Sequence, residues 1–161
     1  INGTYSAKNA KGDTVTGLIT LAAGNEVKWL GESGLTGIPP KTGSDSYLDG
    51  TIYELYLAGG EIRSIYKSTE SHRGAVFDEI SGAAFVEIES YKNNAVRLKN
   101  GDLYEIKDNA TVYIMDSMDG SDHTKYRVGK QSNIKSGNKI RIYDITENDE
   151  MSGDIVVVQV K

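Results

Sequence analysis

The feature that most constrains this chain is a strand–turn–strand pattern found in both halves of the sequence. Residues 17–29 and 95–106 each alternate apolar and polar side chains on both sides of a glycine, Gly24 in the first run and Gly101 in the second. A period of two is typical of a half-buried β-strand, and the glycine tolerates the backbone conformation of a tight turn. The pattern therefore predicts a β-hairpin at each place.

A second hairpin follows in each half. In the first half, residues 51–57 and 62–66 flank the pair Gly59-Gly60; in the second, residues 139–145 and 154–160 flank a longer acidic loop. No stretch has the sustained apolar spacing of an amphipathic helix, and the best helical candidate is a single turn near residues 130–135. The sequence thus predicts almost exclusively β-structure.

The order of these hairpins predicts two tandem modules. Each half runs hairpin, long connection, hairpin, so we assign residues 1–70 to a first β-module, 84–161 to a second and the polar segment 71–83 to the junction. Five or six strands per module favour a small β-barrel or curled sheet, since closure protects the edge strands that otherwise promote aggregation.

Alternation also predicts which side chains form the core. We expect deep burial for the inward-facing positions of each strand, which are Ile19, Leu21, Val27, Trp29, Tyr53, Leu55 and Leu57 in the first module, and Val96, Leu98, Tyr104, Ile106, Val112, Ile114, Ile140, Ile142, Val156 and Val158 in the second.

Composition excludes several classes of function. The net charge is −5 and the basic residues are scattered, which argues against binding of nucleic acid or of an anionic membrane surface. The chain has no cysteine, so disulfides, thiolate metal sites and cysteine nucleophiles are excluded. No apolar run reaches the length of a membrane span. The chain starts at Ile1 and shows no signal peptide, which predicts a processed or excised piece of a longer protein.

Nothing in the sequence predicts an active site. His72 and His123 lie in polar stretches, and no Gly-x-Ser-x-Gly motif accompanies them, so we interpret both as solvated loop residues. The 23 acidic residues are too many for any one pair to indicate a glycosidase. We therefore expect a protein that is not an enzyme.

One acidic loop has two interpretations. Asp116, Asp119 and Asp122 lie within seven residues and offer carboxylate oxygens of the kind that calcium binds. The loop lacks a closing glutamate, which favours the alternative of three solvated side chains at a hairpin tip. If calcium does bind at these three residues, we expect it to order the loop rather than to act in chemistry.

The aromatic residues also have two interpretations. Sugar-binding modules use exposed aromatic faces, but alternation places Trp29 on the same strand face as Val27, which favours a core position. The tyrosines that offer further flat faces are Tyr47, Tyr53, Tyr56, Tyr66 and Tyr91.

The second half resembles the repeated β-modules of bacterial surface-layer (S-layer) and cell-wall-anchored proteins. In those modules a short turn of the form Ile-x-x-Gly-Asn/Asp starts a strand, and the module ends in a valine-rich strand. The matching stretches here are residues 111–114, 126–128, 132–144 and 154–158, with weaker matches at 49–53 and 60–62.

This resemblance implies an extracellular, non-catalytic structural role at the cell surface or cell wall. The expected partners are other copies of the surface protein or cell-wall polysaccharide, and no cofactor is expected apart from the calcium considered above. Two alternatives from other classes are a carbohydrate-binding module and an accessory domain of a secreted hydrolase.

Overall fold

The computed structural model describes residues 1–43, 46–67, 78–82, 84–116, 125–145 and 152–161. Strands account for 57% of these residues and helix for 2%, so the predicted all-β fold is confirmed. The helical part is one 3-10 turn, Gln131–Asn133, at the place where the sequence predicts a single turn.

The chain divides into two compact units. Unit 1 comprises Ile1–Glu70 with Thr124–Tyr126, and unit 2 comprises Ser71–His123 with Arg127–Lys161. The predicted junction at 71–83 lies mostly outside the described residues, so its role as a junction stays a prediction.

Unit 1 is a curled five-stranded sheet whose pairing order is β1-β2-β3-β5-β4. The β3–β5 pairing is parallel, and the other three are antiparallel. Both predicted hairpins are present, with turns at Ala23–Gly24 and Gly59–Gly60. The strands are β1 (Gly3–Lys8), β2 (Thr14–Ala22), β3 (Asn25–Gly31), β4 (Tyr53–Ala58) and β5 (Glu61–Lys67).

The core of unit 1 differs from the predicted one. Six of the seven expected core residues are half-buried, and Leu57 is 43% exposed, so its assignment to the core is wrong. Leu57 lies near the end of the edge strand β4, immediately after a bulge in the β4–β5 pairing. The fully buried side chains include Leu18 and Ile62, and the long connection before β4 adds Tyr47 and Leu48.

The strand β2 explains why alternation was a poor guide here. Leu18 pairs with Trp29 and Thr20 pairs with Val27, so Trp29 and Val27 share a sheet face with Leu18 and Thr20 and not with Ile19. Val15, on the opposite face, is buried as well. Because β2 is covered on both faces, its pattern of apolar residues does not identify a single core face.

Unit 2 contains a closed ring of strands. The pairing order is β10-β9-β12-β11-β7-β8, and β8 also pairs with β9, which closes five strands into a barrel; β6 pairs with β11 outside this ring. The β9–β12 pairing is parallel. The strands are β6 (Asp78–Glu79), β7 (Val86–Lys92), β8 (Ala95–Leu98), β9 (Leu103–Met115), β10 (Arg127–Val128), β11 (Lys139–Asp144) and β12 (Ser152–Gln159).

The predicted core of unit 2 is confirmed, because all ten expected side chains are buried. All of them except Ile114 form one apolar cluster with Ile88 and Ile134. Each barrel strand contributes alternate residues to this cluster, so here the period-two pattern identifies the core face correctly.

The first and last strands of each unit run in the same direction. In unit 1, β1 and β5 are both parallel in direction to β3; in unit 2, β6, β7 and β12 all run antiparallel to β11. Asp78 pairs with Asp144 at the end of β11, whereas Gln159 pairs with Lys139 at its start. The chain therefore enters the barrel of unit 2 at one end and leaves it at the other.

No helix among the described residues combines the length and the apolar character needed to cross a lipid bilayer.

Candidate functional site

The predicted calcium loop is described only at its first residue. Asp116 follows β9, and its carboxylate lies 3.1 Å from Nε of Arg127 on the neighbouring strand β10, with both side chains more than half exposed. Asp119 and Asp122 lie outside the described residues, as do His72 and His123. Within the described ranges, no three His, Cys, Asp or Glu side chains are grouped as metal ligands, and the calcium site stays a prediction.

The aromatic residues divide between core and surface. Trp29 is half-buried on the face of Leu18, and Tyr47 is buried, so neither offers the open flat face that a sugar stacks on. Tyr56 on β4 is 37% exposed and meets Tyr66 edge-to-face, with ring centroids 5.4 Å apart. Glu54 pairs with Tyr66 across the same hairpin and adds a carboxylate to this surface.

The most concentrated chemistry in the described chain lies at one end of the unit 2 barrel. We call Lys107, Asp144 and Asp154 the barrel-end cluster. Nζ of Lys107 on β9 lies 2.7 Å from Oδ1 of Asp154 on β12, and the backbone N–H of Ile145 donates to Oδ2 of Asp154 at 2.9 Å. The carboxyl of Asp144 on β11 is hydrogen-bonded to that of Asp154.

The strand register brings these groups together. Tyr143 pairs with Ile155, so Asp144 and Asp154 follow as the next facing positions of β11 and β12. Asp144 also continues the core face of Ile140 and Ile142, which explains why it is only 2% exposed. Like charges directly opposite each other destabilise a sheet, so a compensating cation at this position is needed, and Lys107 provides it.

Burial and hydrogen bonding act in opposite directions on Asp154. Desolvation by burial raises the pKa of its carboxyl, but the hydrogen bonds from Lys107, the Ile145 N–H and Asp144 together hold that pKa below its ordinary value. The lowered pKa keeps Asp154 ionised beside the ammonium group of Lys107.

A second polar cluster lies on the outer face of β11. Arg141 Nε is 3.0 Å from Glu79 Oε1 of β6, with both side chains 11% exposed. The ring of Phe85 covers the guanidinium at 4.2 Å, and Tyr143 is fully buried beside it. Planar stacking and ion pairing of this kind suit arginine. These contacts hold Glu79 and Phe85 beside β11, where the Ile142 N–H donates to Ser81 Oγ.

A third set of contacts lies within unit 1. The hydroxyl of Tyr126 donates to the carbonyl of Tyr47 at 2.7 Å and accepts from the Gly50 N–H at 2.7 Å. Asn2 accepts from the Tyr126 N–H and donates to its carbonyl. These bonds hold the connection before β4 and act in packing rather than in chemistry.

Sequence analysis missed the barrel-end cluster. A signal for Asp144 was present, since it follows Ile140 and Ile142 at the same spacing and so lies on the core face. The approach of Lys107 depends on the parallel β9–β12 pairing, which joins distant segments and leaves no local signature.

No protein-family model, curated protein or solved structure matches this chain.

Proposed function

We propose that this chain is a non-catalytic structural segment of a bacterial cell-surface protein of the S-layer type, in which its β-units space or assemble the surface layer. The proposal places it outside the cell, with other copies of the surface protein or cell-wall polysaccharide as partners. It draws on the sequence resemblance of the second half and on the architecture of both units.

The observation that carries the proposal is the shared direction of the first and last strands in each unit. Because the chain enters unit 2 beside the end of β11 and leaves beside its start, tension along the chain slides β12 past β11. All backbone pairs between these strands then resist together, instead of opening one after another. The eight residues of β12 extend roughly 26 Å at about 3.3 Å per residue, a useful spacer length.

The closed ring of unit 2 supports the same role. A closed sheet has no free edge to recruit strands from neighbouring chains, which matters in a dense layer of identical molecules. The buried Arg141–Glu79 pair joins β6, the first described strand of unit 2, to β11, where tension from the chain enters the unit.

The test is to stretch single molecules of the chain by its two ends. We expect unit 2 to unfold in one step at a force well above that needed when its strands are peeled apart. Equal forces in the two geometries would overturn the load-bearing role.

A carbohydrate-binding module is the second candidate, and the exposed Tyr56 with its edge-to-face partner Tyr66 favours it. Purified cell-wall polysaccharide should then retain the chain in a pelleting assay, and Tyr56→Ala should reduce retention. Tyr91→Ala is the matched control, because it removes a tyrosine that is half-buried and lies in the other unit. No retention of the unaltered chain would exclude this candidate.

A further inference from the structure

The sequence contains two Asn-Gly pairs, Asn2-Gly3 at the start of β1 and Asn100-Gly101 in the turn between β8 and β9. An asparagine amide that precedes glycine is open to attack by the backbone nitrogen of the glycine, because no Cβ on that residue obstructs the approach. The two pairs have the same local chemistry. A difference in their reactivity must therefore come from the structure around them.

The Asn100 pair lies at an exposed hairpin tip, and Asp102 contacts both ends of its amide. The Asp102 N–H donates to Asn100 Oδ1 at 3.0 Å, and Asn100 Nδ2 donates to Asp102 Oδ2 at 3.1 Å. Residues 100–102 are all exposed, and a Cβ at Gly101 would meet nothing within 4 Å. The amide is thus held by one neighbouring residue and is open to water.

The Asn2 pair is held in place by the backbone of Tyr126. Asn2 Oδ1 accepts from the Tyr126 N–H at 2.6 Å, and Nδ2 donates to the Tyr126 carbonyl at 3.0 Å. Gly3 pairs with Ile19 in the β1–β2 ladder, and both members of the pair are half-buried. Attack by the Gly3 nitrogen would have to break both bonds of the amide and distort the strand.

We propose that Asn100 is a modification site at which the side-chain amide is hydrolysed to a carboxylate in the folded protein, with Asp102 as the catalytic residue. The reaction takes up one water molecule and releases ammonia, and it needs no other reagent. The inference goes beyond the proposed function and does not depend on it.

The reaction has two stages. The Gly101 nitrogen attacks Cγ of Asn100 and forms a C–N bond, which closes a cyclic imide. The proton of the Gly101 N–H passes to the Asp102 carboxylate and from there to Nδ2, the Cγ–Nδ2 bond breaks, and ammonia leaves. Water then opens the ring at either carbonyl, which gives aspartate or isoaspartate at position 100. The isoaspartate form lengthens the main chain in the turn that joins β8 to β9.

The contacts of Asp102 match the changes of charge in the first stage. As the nitrogen attacks, negative charge develops on Asn100 Oδ1, and the Asp102 N–H already donates to that atom. The Asp102 carboxylate lies beside Nδ2, the atom that must gain a proton before it leaves. The Gly101 N–H donates to the Leu98 carbonyl at 3.0 Å, but it does so in an exposed turn where water can replace that bond.

The experiment is to incubate the purified, folded chain at neutral pH and to follow its proteolytic peptides by mass spectrometry. We expect the peptide of Asn100 to gain the mass difference between an amide and an acid, and to separate into aspartate and isoaspartate forms. The peptide of Asn2 should change many times more slowly. In the urea-denatured chain the two rates should approach each other, because only the folded structure protects Asn2. Asn100→Gln, whose longer side chain closes a ring less readily, should abolish the change at that peptide.

Asp102→Asn tests the proton transfer separately. This variant keeps the backbone N–H and a side chain of the same shape but has no carboxylate, and circular dichroism establishes whether it retains its β-structure. We expect the folded variant to lose the Asn100 amide at least about tenfold more slowly, since general acid–base catalysis contributes that much or more. An unchanged rate would overturn the role of Asp102. The modification site itself is overturned if Asn100 keeps its amide in the folded chain, or if Asn2 reacts there as fast.

Discussion

At the scale of single residues, Gly153 shows how tightly the strands of the unit 2 barrel are packed. Gly153 on β12 sits against Ile142 and Ile106, and its backbone φ lies outside the left-handed region that favours glycine. Glycine is therefore required here for space and not for backbone conformation. Core packing at this density leaves no room for one extra methyl group without movement of its neighbours.

Replacing that glycine should destabilise the chain. Gly153→Ala brings a Cβ to 2.7 Å from Ile142 Cγ2, and overpacking of this kind typically lowers the free energy of unfolding by about 1–3 kcal/mol. Urea unfolding of unit 2 measures the change. Gly3→Ala is the control, because its Cβ would meet Ile19 Cδ1 at an ordinary 3.6 Å. A Gly153→Ala chain as stable as the control would mean that Ile142 and Ile106 move aside at little cost.

Acid should weaken unit 2 through Asp154, because its carboxylate forms an ion pair with the ammonium group of Lys107. The folded pKa of Asp154 lies below its ordinary value of about 3.9, so its contribution to stability is present above that pH and is lost as the pH falls through the folded pKa. We therefore expect the unaltered chain to lose stability as the pH falls below that ordinary value, and Asp154→Asn to lose less.

Thermal melting at a series of pH values measures the difference. If the unaltered chain and Asp154→Asn have parallel melting curves against pH, the lowered pKa of Asp154 does not contribute to stability.

At the scale of elements, the hairpins were predictable from sequence, and the pairing between them was not. Three of the hairpins depend on a turn of few residues, the β11–β12 hairpin has a longer loop, and all four predicted hairpins are present. The parallel β3–β5 and β9–β12 pairings join segments far apart in the chain, and nothing local encodes them. The barrel-end cluster depends on the second of these, so only the core position of Asp144 was within reach of sequence reasoning.

The two cores show the same limit. In unit 2 each barrel strand has one buried face, and alternation identifies it for residues such as Val96 and Ile140. In unit 1, β2 is covered on both faces, with Val15 on one and Leu18 on the other, so the period of two is ambiguous. The buried Tyr47 and Leu48 come from the connection before β4, which alternation within the strands does not predict.

We expect the hydrogen bonds of Tyr126 to hold the connection before β4 in place. Tyr126→Phe removes the hydroxyl that donates to the Tyr47 carbonyl and accepts from the Gly50 N–H, both within a buried site. Losing hydrogen bonds to buried backbone groups costs about 1–3 kcal/mol, and the loss should appear in unit 1. Hydrogen exchange of the amides of residues 47–50 is the measurement. Unchanged protection in Tyr126→Phe would show that packing alone holds the connection.

At the scale of the whole molecule, unit 1 and the five-stranded ring of unit 2 have the same strand order. When the five strands of each are numbered along the chain, the third and the fifth pair in parallel in both. Unit 1 runs β1-β2-β3-β5-β4, and the ring of unit 2 runs β7-β8-β9-β12-β11. In both, the chain enters and leaves along strands of the same direction. This arrangement suits a chain of β-units under tension, and it is the basis of the spacer role that we propose.

The most direct test compares two pulling directions on unit 2. The chain has no cysteine, so pairs of introduced cysteines serve as unique attachment points. Ile145→Cys with Lys161→Cys attaches one handle just after β11 and the other just after β12. These are opposite ends of an antiparallel pair, so tension slides the two strands past each other. Lys135→Cys with Lys161→Cys places both handles at the same end and peels the strands apart. Residues 135, 145 and 161 are all exposed, so the changes leave the core intact. We predict that the sliding geometry unfolds at a clearly higher force than the peeling geometry, and equal or reversed forces would contradict a load-bearing role for this protein.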